Sequence, residues 1–146
     1  MKIVMPNSKD CFYCGTDNPI GMHLTYYLDE NRISTDFIPD KKYGFSEQLL
    51  NTGIAFGILV EAMGWVPAYS LGNPEVLLID FSSKVLMPIP IGHKVSVIAE
   101  AISINGWISE IQGIIRDEIG NICIKATGKF IVKNSTDLSL SGHSTD

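Results

Sequence analysis

The sequence predicts an α+β fold: one long central helix wrapped by a curved antiparallel β-sheet, in an assembly that is at least dimeric. Three observations lead there. One run, Asn51 to Val66, has the texture of an enclosed helix, whereas most other patterned stretches alternate as strands between short turns. The chain has 146 residues, 45% of them hydrophobic, which suits one compact domain with a core of its own. A single helix cannot cover so many strands by lying beside them, so the sheet wraps it and a second copy covers what is left.

Residues 1–21 form an entry segment. From Met22 to Pro39 apolar and polar positions alternate around the break Asp29-Glu30-Asn31-Arg32. Met22, Leu24, Tyr26 and Leu28 share one face, and Ile33, Thr35 and Phe37 share another, which predicts a hairpin. The run NTGIAFGILVEAMGWV then opens with Asn51 or Thr52 as N-cap and stops at Pro67, which cannot continue a helix interior. Its apolar residues lie all round, the mark of a helix enclosed by the fold. Gly53, Gly57 and Gly64 fall near one face, at about 1 kcal/mol each in helix propensity. Such a stripe predicts that a packed element or a ligand approaches the backbone there.

After a loop at Gly72-Asn73-Pro74 comes strand after strand. Val76 to Met87 is a long β-type run ending at Pro88. Lys94 to Ile104 alternates, with Val95, Val97, Ala99 and Ala101 on one face. Asn105-Gly106 is a strong hairpin signal. Trp107 to Arg116 returns, Asp117 to Asn121 turns, and Ile122 to Val132 runs out again. Residues 1–133 thus read as a single domain, and 134–146, rich in Ser, Thr and Asp, as a loose polar tail.

Eleven Lys and Arg against sixteen Asp and Glu give a net charge of −5, with no basic run. That speaks against nucleic acid and anionic membrane surfaces as partners. The N-terminus lacks the apolar core of a signal peptide, and Ile54 to Val66 is short for a bilayer span and contains Glu61. Three cysteines do not make a disulfide framework, so a reducing cytoplasm is expected.

Four stretches in order, CFYCGTDNPIGMHL, LLNTGIAFGILVEAMGW, VLMPIPIGHKV and IRDEIGNICIKATGKFIV, resemble the hotdog-fold acyl-CoA thioesterases of the phenylacetate-pathway (PaaI-like) type. The resemblance covers Cys11 to Val132. It implies the fold just described, a dimer or tetramer with its site at the subunit interface, and hydrolysis of a small or medium acyl-CoA thioester. It also implies no metal and no organic cofactor beyond the coenzyme A of the substrate.

In that family the helix opens with His-Gly-Gly, an acid follows seven residues after the second Gly, and Ser or Thr often stands one turn later. Here Asn51 matches the His, Thr52 the first Gly and Gly53 the second, so Gly53 keeps the N–H that would hold the oxyanion. The acid position falls on Val60 and the hydroxyl position on Gly64. Valine can neither bind nor activate water. One carboxylate is next to it, Glu61, about 100° further round the helix. Its two readings are a packed carboxylate satisfied by a hydrogen bond, and a relocated base that activates water. Many members of the family carry Glu at this place beside the true acid.

Asn51 can be a plain N-cap or also bond the thioester oxygen. The expected catalytic set is therefore Asn51, Gly53 and Glu61. Val60, Gly57 and Gly64 are expected to line the acyl site. The polar interruption Ser82, Ser83 and Lys84 is expected either to face the substrate and its phosphates or to be a solvated strand edge. Cys11-x-x-Cys14 resembles half a zinc site, with Cys123 and His23 as conceivable completions that nothing brings near, so packed or free thiols are expected. His93, in a turn, reads as exposed, and His143 lies in the tail. No Gly-x-Ser-x-Gly elbow supports a serine triad.

Two functions follow. The first is a thioesterase with a departed catalytic motif. The second is a non-catalytic relative that binds acyl-CoA or an acyl group as a regulatory module. A hotdog dehydratase would need a His with an acid in the cleft, and His23 and His93 are poorly placed for that.

Overall fold

The computed structural model describes residues 1–73, 75–105 and 107–132; Pro74, Gly106 and the tail with His143 lie outside the described residues. The strands are β1 (Ile3–Val4), β2 (Tyr27–Asp29), β3 (Arg32–Phe37), β4 (Val76–Val85), β5 (Val95–Ser103), β6 (Ser109–Arg116) and β7 (Ile122–Val132). They form a seven-stranded antiparallel sheet in the order β1-β2-β3-β5-β6-β7-β4. The helix α1 (Thr52–Leu71) lies against β3, β5, β6, β4 and β7. This is the predicted α+β hotdog architecture.

The predicted hairpin forms, with Glu30 (φ 50°) and Asn31 (φ 68°) both left-handed in a two-residue turn. Only Tyr27–Asp29 of its first arm pairs in the ladder with β3. The earlier residues spend their backbone bonds on the entry segment instead: the Met22 and Leu24 N–H groups donate to Phe12 O and Tyr13 O, at 2.8 and 2.7 Å. In β5 Val95, Val97 and Ala99 are buried as the alternation predicts, but Ala101 is exposed. A register shift between Ala101 and Ser103 breaks the pattern there.

The helix runs five residues past the predicted run, through Pro67 to Leu71. Pro67 and Ala68 are buried, and their packing offsets the backbone bond that the proline cannot make. Gly72 at φ 65° ends the helix, its N–H donating to Ala68 O and Tyr69 O. At 20 residues α1 is long and apolar enough, by length and composition, to cross a bilayer. In this fold its apolar surface meets the sheet instead. Ile58, Leu59, Ala62 and Met63 are fully buried against Ile33, Val97, Ile111 and Ile115. The close approach depends on glycines of the sheet. A Cβ on Gly113 would come within 2.7 Å of Leu59 Cδ1, and one on Gly128 within 3.0 Å of Met63 Cε.

The strand β4 forms one edge of the sheet. Leu77, Leu78, Ile79 and Val85 on it, and Leu86 and Met87 just beyond, are all exposed.

Candidate active site

A cavity of about 690 Å³ opens between α1, the start of β4, the end of β7 and the entry segment. From the helix it receives Val60, Glu61, Gly64 and Trp65, one face of two successive turns. Leu78 and Phe130, paired across β4 and β7, close its sheet side. Among the described residues Glu61 is the one carboxylate in its wall, and the wall is otherwise mostly apolar.

The half-buried Glu61 is already hydrogen-bonded. Cys14 Sγ and Cys11 Sγ both donate to its Oε1, at 3.2 and 3.5 Å. The three cysteines Cys11, Cys14 and Cys123 are free. Burial pushes the Cys14 thiol up to about 12, the Glu61 carboxylate adding to that, while a hydrogen bond from the Ser8 backbone N–H acts the other way. Tyr13 is raised for the same first reason, with Cys11 and Glu61 adding to it. Tyr26, deeper still, is raised well above its ordinary range by burial and then by Glu61. Its hydroxyl donates to Ile58 O at 3.1 Å. The hydrogen-bonded reading of Glu61 thus describes its ground state. The entry segment is also part of the site, which the sequence left as a lead-in.

The structure brings Val60, Glu61 and Gly64 together around this cavity. Gly57 is on the same side of the helix but faces protein: Tyr13 occupies the space a Cβ would need. Asn51 and Gly53 sit at the exposed start of α1. Asn51 is a true N-cap, Oδ1 accepting from the Ile54 N–H at 3.2 Å. Its carbonyl accepts from Ala55 at 3.1 Å. The Gly53 N–H remains one of the first-turn donors for which a helix supplies no acceptor. Gly53 and Glu61 are eight residues apart, about 12 Å along the axis.

Ser82, Ser83 and Lys84 lie apart from this cavity, in a smaller depression of about 350 Å³ with Gln112, Lys125 and Thr127. Of the bulky residues of the helix region, Trp65 lines the main cavity and Met63 is core. Phe56 packs edge-on against Phe81 at 5.7 Å, and Phe45 is exposed. His93 is exposed, with Nδ1 3.1 Å from Glu118 Oε2. His23 is exposed against Asn18 O, and Cys123 is buried near Asn121 O, so neither joins the two front cysteines.

No family model matches the sequence, and no curated protein matches it in sequence. Solved structures do match the fold. A thioesterase superfamily protein superposes with a TM-score of 0.76 at 17% identity, over 84% of this chain and 60% of its own. This chain therefore spans less than two thirds of that relative. A thioesterase from Haemophilus influenzae gives 0.67 at 20% identity, over 76% of this chain and 78% of that one. A hypothetical thioesterase protein from Streptococcus pneumoniae, solved with coenzyme A, gives 0.67 at 15%, over 73% and 82%. At these identities the likeness establishes the hotdog fold of thioesterase superfamily proteins.

Proposed function

We propose that this chain is a hotdog acyl-CoA thioesterase of the PaaI-like type, acting on a small or medium acyl-CoA thioester. The observation that carries this reading is Glu61, among the described residues the single carboxylate in the wall of a large, mostly apolar cavity. The coenzyme A bound to the Streptococcus pneumoniae neighbour supports the ligand class. Water attacks the thioester carbonyl, Glu61 accepts its proton and returns it to the departing thiolate as the C–S bond breaks. The Gly53 N–H holds the oxyanion that forms in between.

One helix cannot present both groups to one carbonyl, since they stand about 12 Å apart. The site is therefore shared: the Gly53 end of one protomer meets the Glu61 region of another in a homodimer or larger homo-oligomer. The exposed apolar edge at β4 is the surface that a second copy would cover. The acidic net charge suits neither nucleic acid nor anionic membranes, and the three free thiols fit a reducing cytoplasm.

A second reading has a specific observation behind it. Val60 and Gly64 occupy the cavity where the family's acid and hydroxyl would be, and two thiols already engage Glu61. Such a cavity can bind acyl-CoA without cleaving it. Hydrolysis of a panel of short, long and aryl acyl-CoAs, with binding recorded in parallel, separates the two. The thioesterase reading expects turnover that falls at least ~100-fold in Glu61→Gln while affinity is kept. Tight binding without turnover would make the protein an acyl-CoA binding module.

A further inference from the structure

Two pieces of chain some fifty residues apart converge at one corner of the cavity. Cys11 and Cys14 come from a single tight loop, Glu61 from the middle of α1. The loop is fixed by its own backbone. Cys11 N–H donates to Ser8 O at 2.9 Å, Gly15 N–H to Cys11 O at 2.8 Å and Asp17 N–H to Lys9 O at 3.0 Å. Gly15 is required, because a Cβ there would strike the Lys9 carbonyl and the Cys11 backbone. Both sulfurs are thus positioned before any ligand arrives. The Ser8 backbone N–H is hydrogen-bonded to the Cys14 sulfur.

The ligand atoms of the three residues lie within 4.8 Å of one another. A tetrahedral zinc holds thiolate sulfur at about 2.3 Å and carboxylate oxygen at about 2.0–2.2 Å, which sets sulfur and oxygen about 3.5 Å apart. The two sulfur–oxygen separations here are 3.5 and 3.2 Å, both to the same oxygen. Two thiol protons converge where one dication would sit.

We propose that Cys11, Cys14 and Glu61 bind one zinc ion, with its fourth position open to the cavity. Cys11 and Glu61 line that cavity and Cys14 is buried behind them, so a fourth ligand enters from the cavity side. Three protein ligands and one open position is the arrangement of a zinc that holds water or substrate. Binding releases the two thiol protons to solvent, and zinc with two thiolates and one carboxylate carries a net charge of −1. This departs from the sequence expectation of no metal, which looked for completing ligands among Cys and His only. The site stands on its own side chains. Its chemical use rests on the acyl-CoA reading: there Glu61 would be a ligand rather than the base, and the zinc would acidify its bound water and so supply the nucleophile that Glu61 otherwise activates.

The test is metal binding to the reduced, chelator-treated full chain, with Zn²⁺ and Co²⁺ alone as probes. One zinc per chain by mass spectrometry is expected, with thiolate-to-cobalt charge-transfer absorption on loading Co²⁺. Cys11→Ser, Cys14→Ser and Glu61→Gln should each lose that stoichiometric binding, while Cys123→Ser keeps it. The cobalt spectrum of wild type needs no variant, so a misfolded substitution does not void the test. Absence of metal uptake by the reduced wild type, uptake that survives in the Cys11→Ser/Cys14→Ser double variant, or cobalt bound without thiolate absorption would each overturn the site. Because the readout is metal and not turnover, it separates this proposal from the thioesterase reading: zinc bound without hydrolysis upholds the site and sinks the enzyme.

Discussion

The hydroxyl end of Tyr13 rests against the helix backbone at Gly57, in the space where any other residue would carry its Cβ. Through this contact the entry loop is keyed to α1 beside Glu61. Tyr13 is held from its other side by an edge-to-face contact with Phe12 at 5.1 Å. An alanine at position 57 would be a better helix former by about 1 kcal/mol. It must nevertheless displace the ring, an overpacking cost of about 1–3 kcal/mol. Gly57→Ala is therefore expected to lower stability in denaturant unfolding. Adding Tyr13→Ala should reverse the sign of the Gly57→Ala effect, since the ring that clashed is gone. A stabilised single variant would refute the contact.

The Cys14 thiol makes stability depend on pH. Burial, helped by Glu61, raises it from 9.0 to about 12 in the folded metal-free chain. The unfolded chain loses that proton near 9, while the folded chain still holds it. Folding thus gains fully from this group below pH 9, and the gain is lost as pH rises from 9 toward 12. Urea unfolding at a series of pH values should show this decline in wild type and a shallower one in Cys14→Ala. Equal slopes would mean that the thiol is not held protonated by the fold.

Most of the fold was legible because two periods carry it. The alternation at Val95, Val97 and Ala99 and the all-round apolar helix each specify an element, and the buried sets match. The end of the helix was not legible. Local chemistry says stop at Pro67, and only the tertiary burial of Pro67 and Ala68 overrides it. The glycine stripe on α1 signalled a close approach, but Gly57 meets Tyr13 tightly whereas Gly64 has Phe130 and Val76 only at ordinary contact distance and borders the cavity. Spacing along a helix cannot tell these apart. The link between Cys11, Cys14 and Glu61 was hidden for a similar reason, since nothing local relates residues 47 and 50 positions apart. The one usable signal was Gly15 directly after the second cysteine, which marks a tight turn.

The edge at β4 predicts the assembly. Val85 is 51% exposed near the end of that strand, so a lysine there costs the isolated fold little. If two copies meet along β4, each copy brings one such lysine into a surface that must desolvate, without a partner charge there to compensate it. Light scattering should then report a dimer or larger for wild type and a monomer for Val85→Lys, with the helical circular dichroism unchanged. A wild-type monomer, or a variant that still associates, would place the interface elsewhere or nowhere.

Gly64 offers a way to fill the cavity from the helix side. A Cβ there would meet Phe130 Cε2 at 3.5 Å and Val76 Cγ2 at 3.6 Å, ordinary contacts that require no movement. Gly64→Ala removes a mid-helix glycine, so it should stabilise the fold by up to about 1 kcal/mol. A larger side chain cannot stop at that contact and must grow into the cavity that Gly64 shares with Val60, Glu61 and Trp65. Gly64→Leu should consequently keep the fold but weaken acyl-CoA binding at least ~10-fold, about 1.4 kcal/mol, in calorimetric titration. The pair of variants separates ligand space from packing space: stability answers to the first methyl group, affinity to the rest of the side chain. If Gly64→Leu binds acyl-CoA as wild type does, the acyl group does not enter along this face of α1.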